Sequence, residues 1–246
     1  MPKYGALFLF LALSSCSIIH KTDSSYILNV PNVPMFEEAG QGQVSVYVGY
    51  THYDIVAAYA LDSHLLLGAS YFNGAGQYYE ATLGYYRKLG RRTWLEIIGG
   101  VGVADINYTN DFFQGANYYK TQHHLEINAD NFKVFVQPSY HIRLTENAKI
   151  GGTFRLGIAN FNNYRYFEQL TLLRDNSVTT TLQQGNLRRL FVEPVITVKS
   201  AYKRLNMVAQ SGYSFMPTDV FDTNMNAHPV YQRFFINLGL QISIGK

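Results

Sequence analysis

The segment that most constrains how this chain can fold lies near its end. Phe234, Ile236, Leu238, Leu240, Ile242 and Ile244 share one parity. Arg233, Asn237, Gly239, Gln241, Ser243 and Gly245 share the other, with Phe235 the one exception. Successive side chains of a strand point to opposite faces, so this strand has one apolar face and one polar or small face. Strands in globular proteins usually run about five or six residues. An alternation sustained from 234 to 244 instead matches the roughly 9–11 residues with which a tilted strand crosses a bilayer.

The same period recurs upstream. Phe132, Val134, Val136, Pro138, Tyr140 and Ile142 oppose Lys133, Gln137, Ser139, His141 and Arg143. Segments 150–158 and 190–199 repeat the pattern, 44–50, 65–72, 78–87 and 93–107 are noisier, and 53–61 and 205–215 are weaker. Ten strands are predicted: 43–51, 53–61, 64–73, 77–88, 92–107, 131–144, 148–161, 188–201, 205–215 and 230–245. The implied fold is all-β, a transmembrane antiparallel up-and-down β-barrel of about ten strands, with eight and twelve as the neighbouring counts.

Composition agrees. Only 15% of residues are charged, 15% are aromatic, and there are 20 tyrosines and 20 glycines. A mean hydropathy of −0.09 argues against a bundle of membrane helices, each of which needs about 20 apolar residues in a row. The charge is low for a soluble domain. With a net charge of +3 and no dense Lys/Arg run, no nucleic-acid partner is expected. Arg91-Arg92 and Arg188-Arg189 are read as solvated turn or strand-end charges.

Connection length is an independent signal. From the third strand onward the links run medium (74–76), short (89–91), long (108–130), short (145–147), long (162–187), short (202–204) and long (216–229). Barrels of this kind have short periplasmic turns and longer outer loops. This predicts an outer-membrane location with both chain ends in the periplasm. The Tyr and Trp residues near strand ends, such as Tyr47, Tyr53, Tyr71, Tyr78, Tyr79, Tyr86, Trp94 and Tyr164, are expected in interfacial girdles. Pro138 and Pro194, in the similar stretches Phe135-Val136-Gln137-Pro138 and Phe191-Val192-Glu193-Pro194, are expected to mark bulges.

The N-terminus carries a different message. Lys3 precedes a short apolar core from Gly5 to Leu13, too short to span a bilayer and shaped like a secretory signal. Leu13-Ser14-Ser15-Cys16 resembles the lipobox of bacterial lipoproteins, with Cys16, the only cysteine, as the acylated residue. The expected division is a lipoprotein-type signal peptide at 1–15, a periplasmic tether at 16–42 containing Pro31, Pro34, Gly40 and Gly42, and the barrel at 43–246. No acidic run follows Cys16.

Two stretches carry a family resemblance. Pro31-Asn32-Val33-Pro34-Met35-Phe36-Glu37-Glu38-Ala39-Gly40 and Ala58-Tyr59-Ala60-Leu61-Asp62-Ser63-His64-Leu65-Leu66-Leu67-Gly68-Ala69-Ser70 resemble the Pro-rich segment and first hairpin of predicted outer-membrane β-barrel lipoproteins of Bacteroidota type. Ala39 and Gln41 depart from that family, which often has Lys near the first position and an acidic residue at the second. The resemblance implies location and fold and assigns no activity.

Residues that could carry chemistry are few. Ser139 and His141 share a strand face, and Glu126 and Glu193 are further candidates for a rim-located lipid hydrolase. That reading needs a nucleophile and base in contact, and no motif supplies one. His123-His124 with Glu126 suggests a metal site, but adjacent strand residues face opposite ways. No catalytic residue, metal or cofactor is therefore assigned. Glu96, Lys133, Arg143, Arg155, Glu193, Lys199 and Arg233 fall on the inward parity. A buried charge must be paired, and narrow barrels are filled by side chains, so these seven are expected to form a lumen charge network. The function expected is a non-enzymatic structural, accessory or envelope-interaction role with a largely plugged lumen. The alternatives are a narrow channel for small or amphipathic solutes and the hydrolase. The partners expected are outer-membrane lipids, with another envelope protein as a further candidate.

Overall fold

The computed structural model describes residues 31–49, 52–74, 76–114, 121–172, 177–200, 204–216 and 234–245. The expectations for Cys16 and Arg233 lie outside these. Ten antiparallel strands form one sheet: β1 (Gly42–Val48), β2 (Tyr53–Ala60), β3 (Leu65–Asn73), β4 (Gly76–Lys88), β5 (Thr93–Gln114), β6 (Thr121–Thr145), β7 (Ala148–Leu172), β8 (Ser177–Ser200), β9 (Leu205–Tyr213) and β10 (Phe234–Ile244). Each pairs with its chain neighbour, and β1 returns to β10 from Gly42↔Ile244 to Val48↔Leu238. The sheet is a closed up-and-down barrel of the predicted strand number.

Alternation sets the two surfaces. On β10, Phe234, Leu238, Leu240, Ile242 and Ile244 face outward while Asn237 and Gln241 are buried. Phe235, the exception in the sequence pattern, is buried too and packs in an interior apolar cluster with Phe72, Phe135 and Phe191. On β6 the exposed apolar row Phe132, Val134, Val136, Tyr140 and Ile142 opposes buried Lys133, Gln137, Ser139 and His141. The row spans a bilayer-crossing length of a tilted strand.

The strand lengths depart from expectation. The predicted loops 108–130 and 162–187 are largely strand, because β5 to β8 run 22 to 25 residues each. β1, β2, β3 and β9 have 7 to 9. Four strands thus rise as a wall beyond the apolar belt. In that extension the outward face turns polar, and at Tyr166–Thr171 both faces are partly wet, so the outward apolar row that announces a membrane strand fades. Backbone pairing continues regardless, since it does not depend on side-chain polarity. Register shifts between Asn128 and Asp130, and between Phe161 and Tyr164, mark where the belt ends. There Asn163 adopts a left-handed φ of 54°, which Asn tolerates, and its side chain donates to Asp130 at 2.8 Å.

Two other expectations are corrected. No register shift falls at Pro138 or Pro194: their pairings with Ile97 and Phe154 continue an unbroken ladder, so neither marks a bulge. The tyrosines divide between the two faces. Tyr53, Tyr79, Tyr85 and Tyr140 face out, whereas Tyr47, Tyr78, Tyr86, Trp94 and Tyr164 are buried inside. Parity decides the face, and nearness to a strand end does not. Tyr50 and Tyr202 lie outside the described residues.

Interior aromatics find room over glycine. Phe135 lies over Gly100, Phe191 over Gly157, Phe235 over Gly212 and Tyr47 over Gly239, each pair being direct cross-strand partners. A Cβ on Gly157 would strike both the Phe191 ring and the Val134 carbonyl oxygen. Gly152, on the same strand and exposed, has nothing near it. Gly157→Val is therefore expected to cost about 1–3 kcal/mol through overpacking, and Gly152→Val far less. The check is the temperature at which the compact form that migrates distinctly on unboiled gels is lost. Equal shifts for both variants would contradict the glycine-seat account.

Candidate functional site

The lumen is where polar chemistry collects, and its main occupant is the chain itself. Residues 31–41, expected to be a periplasmic tether, enter the lumen: 31–36 are buried inside the barrel, and 38–40 emerge exposed at the end where β1 begins. Val33, Met35 and Phe36 are buried there. Two prolines deny this segment regular secondary structure, so its carbonyls need outside donors. Lumen side chains provide them. Gln210 donates to the Pro31 carbonyl at 3.2 Å, Gln137 to Asn32 at 2.7 Å, Lys199 to Pro34 at 3.4 Å and Lys149 to Met35 at 3.1 Å. Asn32 in turn donates to the Ala57 carbonyl at 3.3 Å, in space left by Gly68. Met35 is held at a left-handed φ of 58°, a conformation that costs energy and persists only where surrounding contacts impose it. The reversal into β1 uses Gly40 at φ 76°, and Gln41 accepts from the Glu37 amide at 2.8 Å.

Glu37 fastens the lower end of the plug. Its carboxylate pairs with Arg143 and, at 2.6 Å, with Lys149. Burial pushes this carboxyl up, but hydrogen bonds from Arg143 and Lys149, together with their charges, outweigh it and hold the group below its ordinary value. Trp94 lies under the same cations, with Arg143 at 5.2 Å and Lys149 at 5.8 Å from its ring centre.

Above the plug lies a buried ion network. Glu80 meets Lys133 at 2.6 Å and Arg155 at 3.6 Å, and Arg155 reaches Glu193 at 3.8 Å. Arg155 also donates to Gln137 at 3.1 Å, so plug and network share a side chain. Two carboxylates and two cations balance, which is the condition for burying them together. Glu96 stands apart with His141 at 2.9 Å. Of the seven inward charges named from sequence, the structure brings Lys133, Arg155 and Glu193 together. It places Arg143 at the plug's foot and Lys199 beside the plug, and puts Glu96 with a histidine. Glu80 and Lys149 were missed. The signal for Glu80 was its inward parity with Tyr78 and Thr82 on β4. Glu37 carried no signal, because no strand period applies to it.

The candidate catalytic residues do not form a site. Ser139 and His141 are both buried, and the Ser139 hydroxyl accepts from Thr153 at 2.9 Å. Glu193 belongs to the ion network. His124 sits between Asp111 at 2.7 Å and Glu126 at 3.2 Å, while His123 turns the other way toward Glu168 at 3.4 Å. His123, His124 and Glu126 lie on β6 rather than in the expected loop. Among the described residues no cluster of three His, Cys, Asp or Glu is arranged to hold a metal ion.

A closed antiparallel barrel with an apolar exterior and a polar, filled interior defines a membrane-spanning β-barrel protein. No family model matches the sequence, and no curated protein matches it. Solved structures similar to it include the CymD monoaromatic hydrocarbon channel, at 7% identity and TM-score 0.32, with 84% of this chain and 88% of that chain covered. In-vitro folded OmpT, an outer membrane protein of Vibrio cholerae, is similar at 10% identity and TM-score 0.21, with 83% and 96% covered.

The clasp at Glu37 should respond to pH. Its carboxyl is depressed in the folded state, so the stabilisation is present above the ordinary carboxylate value and is lost as pH falls through the folded-state value. Protection of the 32–40 amides against hydrogen exchange, measured relative to the intrinsic rate at each pH, is expected to fall several-fold in Glu37→Gln at neutral pH, and in the wild type on acidification. Unchanged protection under both conditions would show that the pair does not hold the plug.

Proposed function

We propose that the chain is an outer-membrane β-barrel lipoprotein with a non-enzymatic structural, accessory or envelope-interaction role, its lumen plugged by its own residues 31–41. The observation that carries this reading is the plug, hydrogen-bonded along its length to lumen side chains. Burial of Ser139 and His141 inside the same lumen supports a non-enzymatic role, since a hydrolase needs its nucleophile open to substrate. The exposed apolar band supports a lipid environment, and a closed barrel spans one without unpaired backbone groups. The start of β1 and the end of β10 lie at the same barrel end as the short turn at 146–147, which supports termini on the periplasmic side. Cys16 precedes Pro31 by 15 residues. At about 3.3–3.6 Å each, these can return from mid-lumen to that side.

Planar-bilayer recording tests the plug. The wild type is expected to show no steady conductance, and a variant lacking residues 31–41 that keeps its unboiled gel mobility is expected to conduct. A clean wild-type conductance altered by Arg155→Met would favour a narrow channel and overturn the plugged reading. For the anchor, Cys16→Ala is expected to abolish acyl labelling while the barrel still assembles, and labelling that persists would remove Cys16 from its role.

A further inference from the structure

A second feature of the lumen is left without purpose by the plug. At the barrel end where β1 starts, a cleft of about 180 Å³ opens between the plug and the β1, β7, β8, β9 and β10 strands. Its walls include Met35, Gln43, Lys149, Lys199, Ser243 and Ile244. Lys199 is the unusual member. It is 6% exposed, and its ammonium reaches only two neutral oxygens, the Pro34 carbonyl and Gln43 Oε1, both at 3.4 Å. These are long for hydrogen bonds. Among the described residues Lys199 forms no ion pair.

The charge count around it does not close. Three cations, Arg143, Lys149 and Lys199, face two carboxylates: Glu37, which the first two already share, and Glu96. Glu96 is already held by His141, and with Lys199 protonated the set stays positive whichever charge state that histidine takes. A buried cation without a counter-charge is costly, and the cost falls where an anion can enter. The cleft holds more than a water's share of volume. The two cations that line it are ammoniums rather than a guanidinium fork. Lysine is a common phosphate ligand, which it meets as a point charge. The Ser243 hydroxyl, which accepts from Asn206 at 2.9 Å, has its own proton to give. Ile244, at the cleft mouth, is 60% exposed on the outer face, so the opening adjoins the lipid surface.

We propose that this cleft is a binding site for a phosphate group, taken through Lys199 with Lys149 and Ser243. The group is carried either by a phospholipid headgroup at the barrel wall or by a free phosphorylated solute. Lys199 is then a binding residue whose counter-ion is the ligand.

The test uses the full-length protein in an uncharged detergent. Inorganic phosphate is titrated by calorimetry, and phosphatidylglycerol is added in a parallel arm read by native mass spectrometry, with diacylglycerol as the headgroup-free control. Saturable binding of phosphate is expected for a free-solute site. Binding of phosphatidylglycerol alone, without diacylglycerol, is expected for a headgroup site. In either case Lys199→Gln should weaken binding at least tenfold, and Lys88→Gln, outside the cleft, should not change it. Ser243→Leu, which fills the rim without removing charge, should also weaken binding and serves if Lys199→Gln does not assemble. Assembly of each variant is read from unboiled gel mobility. No saturable binding of either probe to the wild type, or undiminished binding in both Lys199→Gln and Ser243→Leu, would overturn the proposal. The outcome is separable from the plug's role, because conductance can be absent whether or not phosphate binds.

Discussion

Closure of the sheet between β1 and β10 is the constraint on which the rest of this protein depends. Seven residue pairs, from Gly42↔Ile244 to Val48↔Leu238, join the first strand to the last. Without them, both edges would present unpaired amide and carbonyl groups to hydrocarbon, where each costs several kcal/mol. With them, the backbone is satisfied around the ring and outward side chains are free to be apolar. The same closure creates an interior that must be filled. The interior in turn dictates the glycine seats beneath Phe135, Phe191, Phe235 and Tyr47, the paired charges and the plug.

The interior is layered. Lowest are the basic residues of the cleft and the Glu37 clasp. Above them lies the polar segment of the plug, and above that the Glu80–Lys133–Arg155–Glu193 network. An apolar cluster around Phe72, Phe135, Phe191 and Phe235 continues to Ile127, Phe161 and Leu187 on the tall strands. Gln137 ties two of these layers, since it donates to the plug through Asn32 and accepts from Arg155. Movement of the plug would thus remove the acceptor that holds Gln137, the side chain that also partners the central cation. This is a physical reason for segment and barrel to behave as one body.

The wall of β5 to β8 makes the barrel lopsided. Its inner face remains apolar at Ile106, Leu125, Ile127 and Leu187, all buried. Its outer face turns polar above the bulges at Asn128–Asp130 and Phe161–Tyr164. The bulges re-aim the strands at the level where the solvent changes, and Asn163, Asn186 and Asn160 take up hydrogen bonds there.

The sequence by itself determined the barrel, a strand number of about ten and the two faces of the clearly alternating strands, because side-chain parity is local and the lipid enforces it along each strand. Within the apolar belt, residues such as Lys133, Arg155 and Glu193 could be assigned inward from parity alone. Their partners could not, since Glu80 meets Lys133 across two strands and Glu96 meets a histidine rather than a cation. Tertiary structure alone decided the height of β5 to β8, where the outward apolar row ends while backbone pairing goes on. It also decided the fate of residues 31–41. Those residues read as a tether because prolines and glycines forbid a strand. They are a plug because a closed ring of ten strands leaves a core that side chains only partly fill, and Lys149, Lys199, Gln137 and Gln210 offer donors to a segment whose carbonyls have no partners of their own. Parity is written residue by residue, whereas filling a volume is a property of the whole ring.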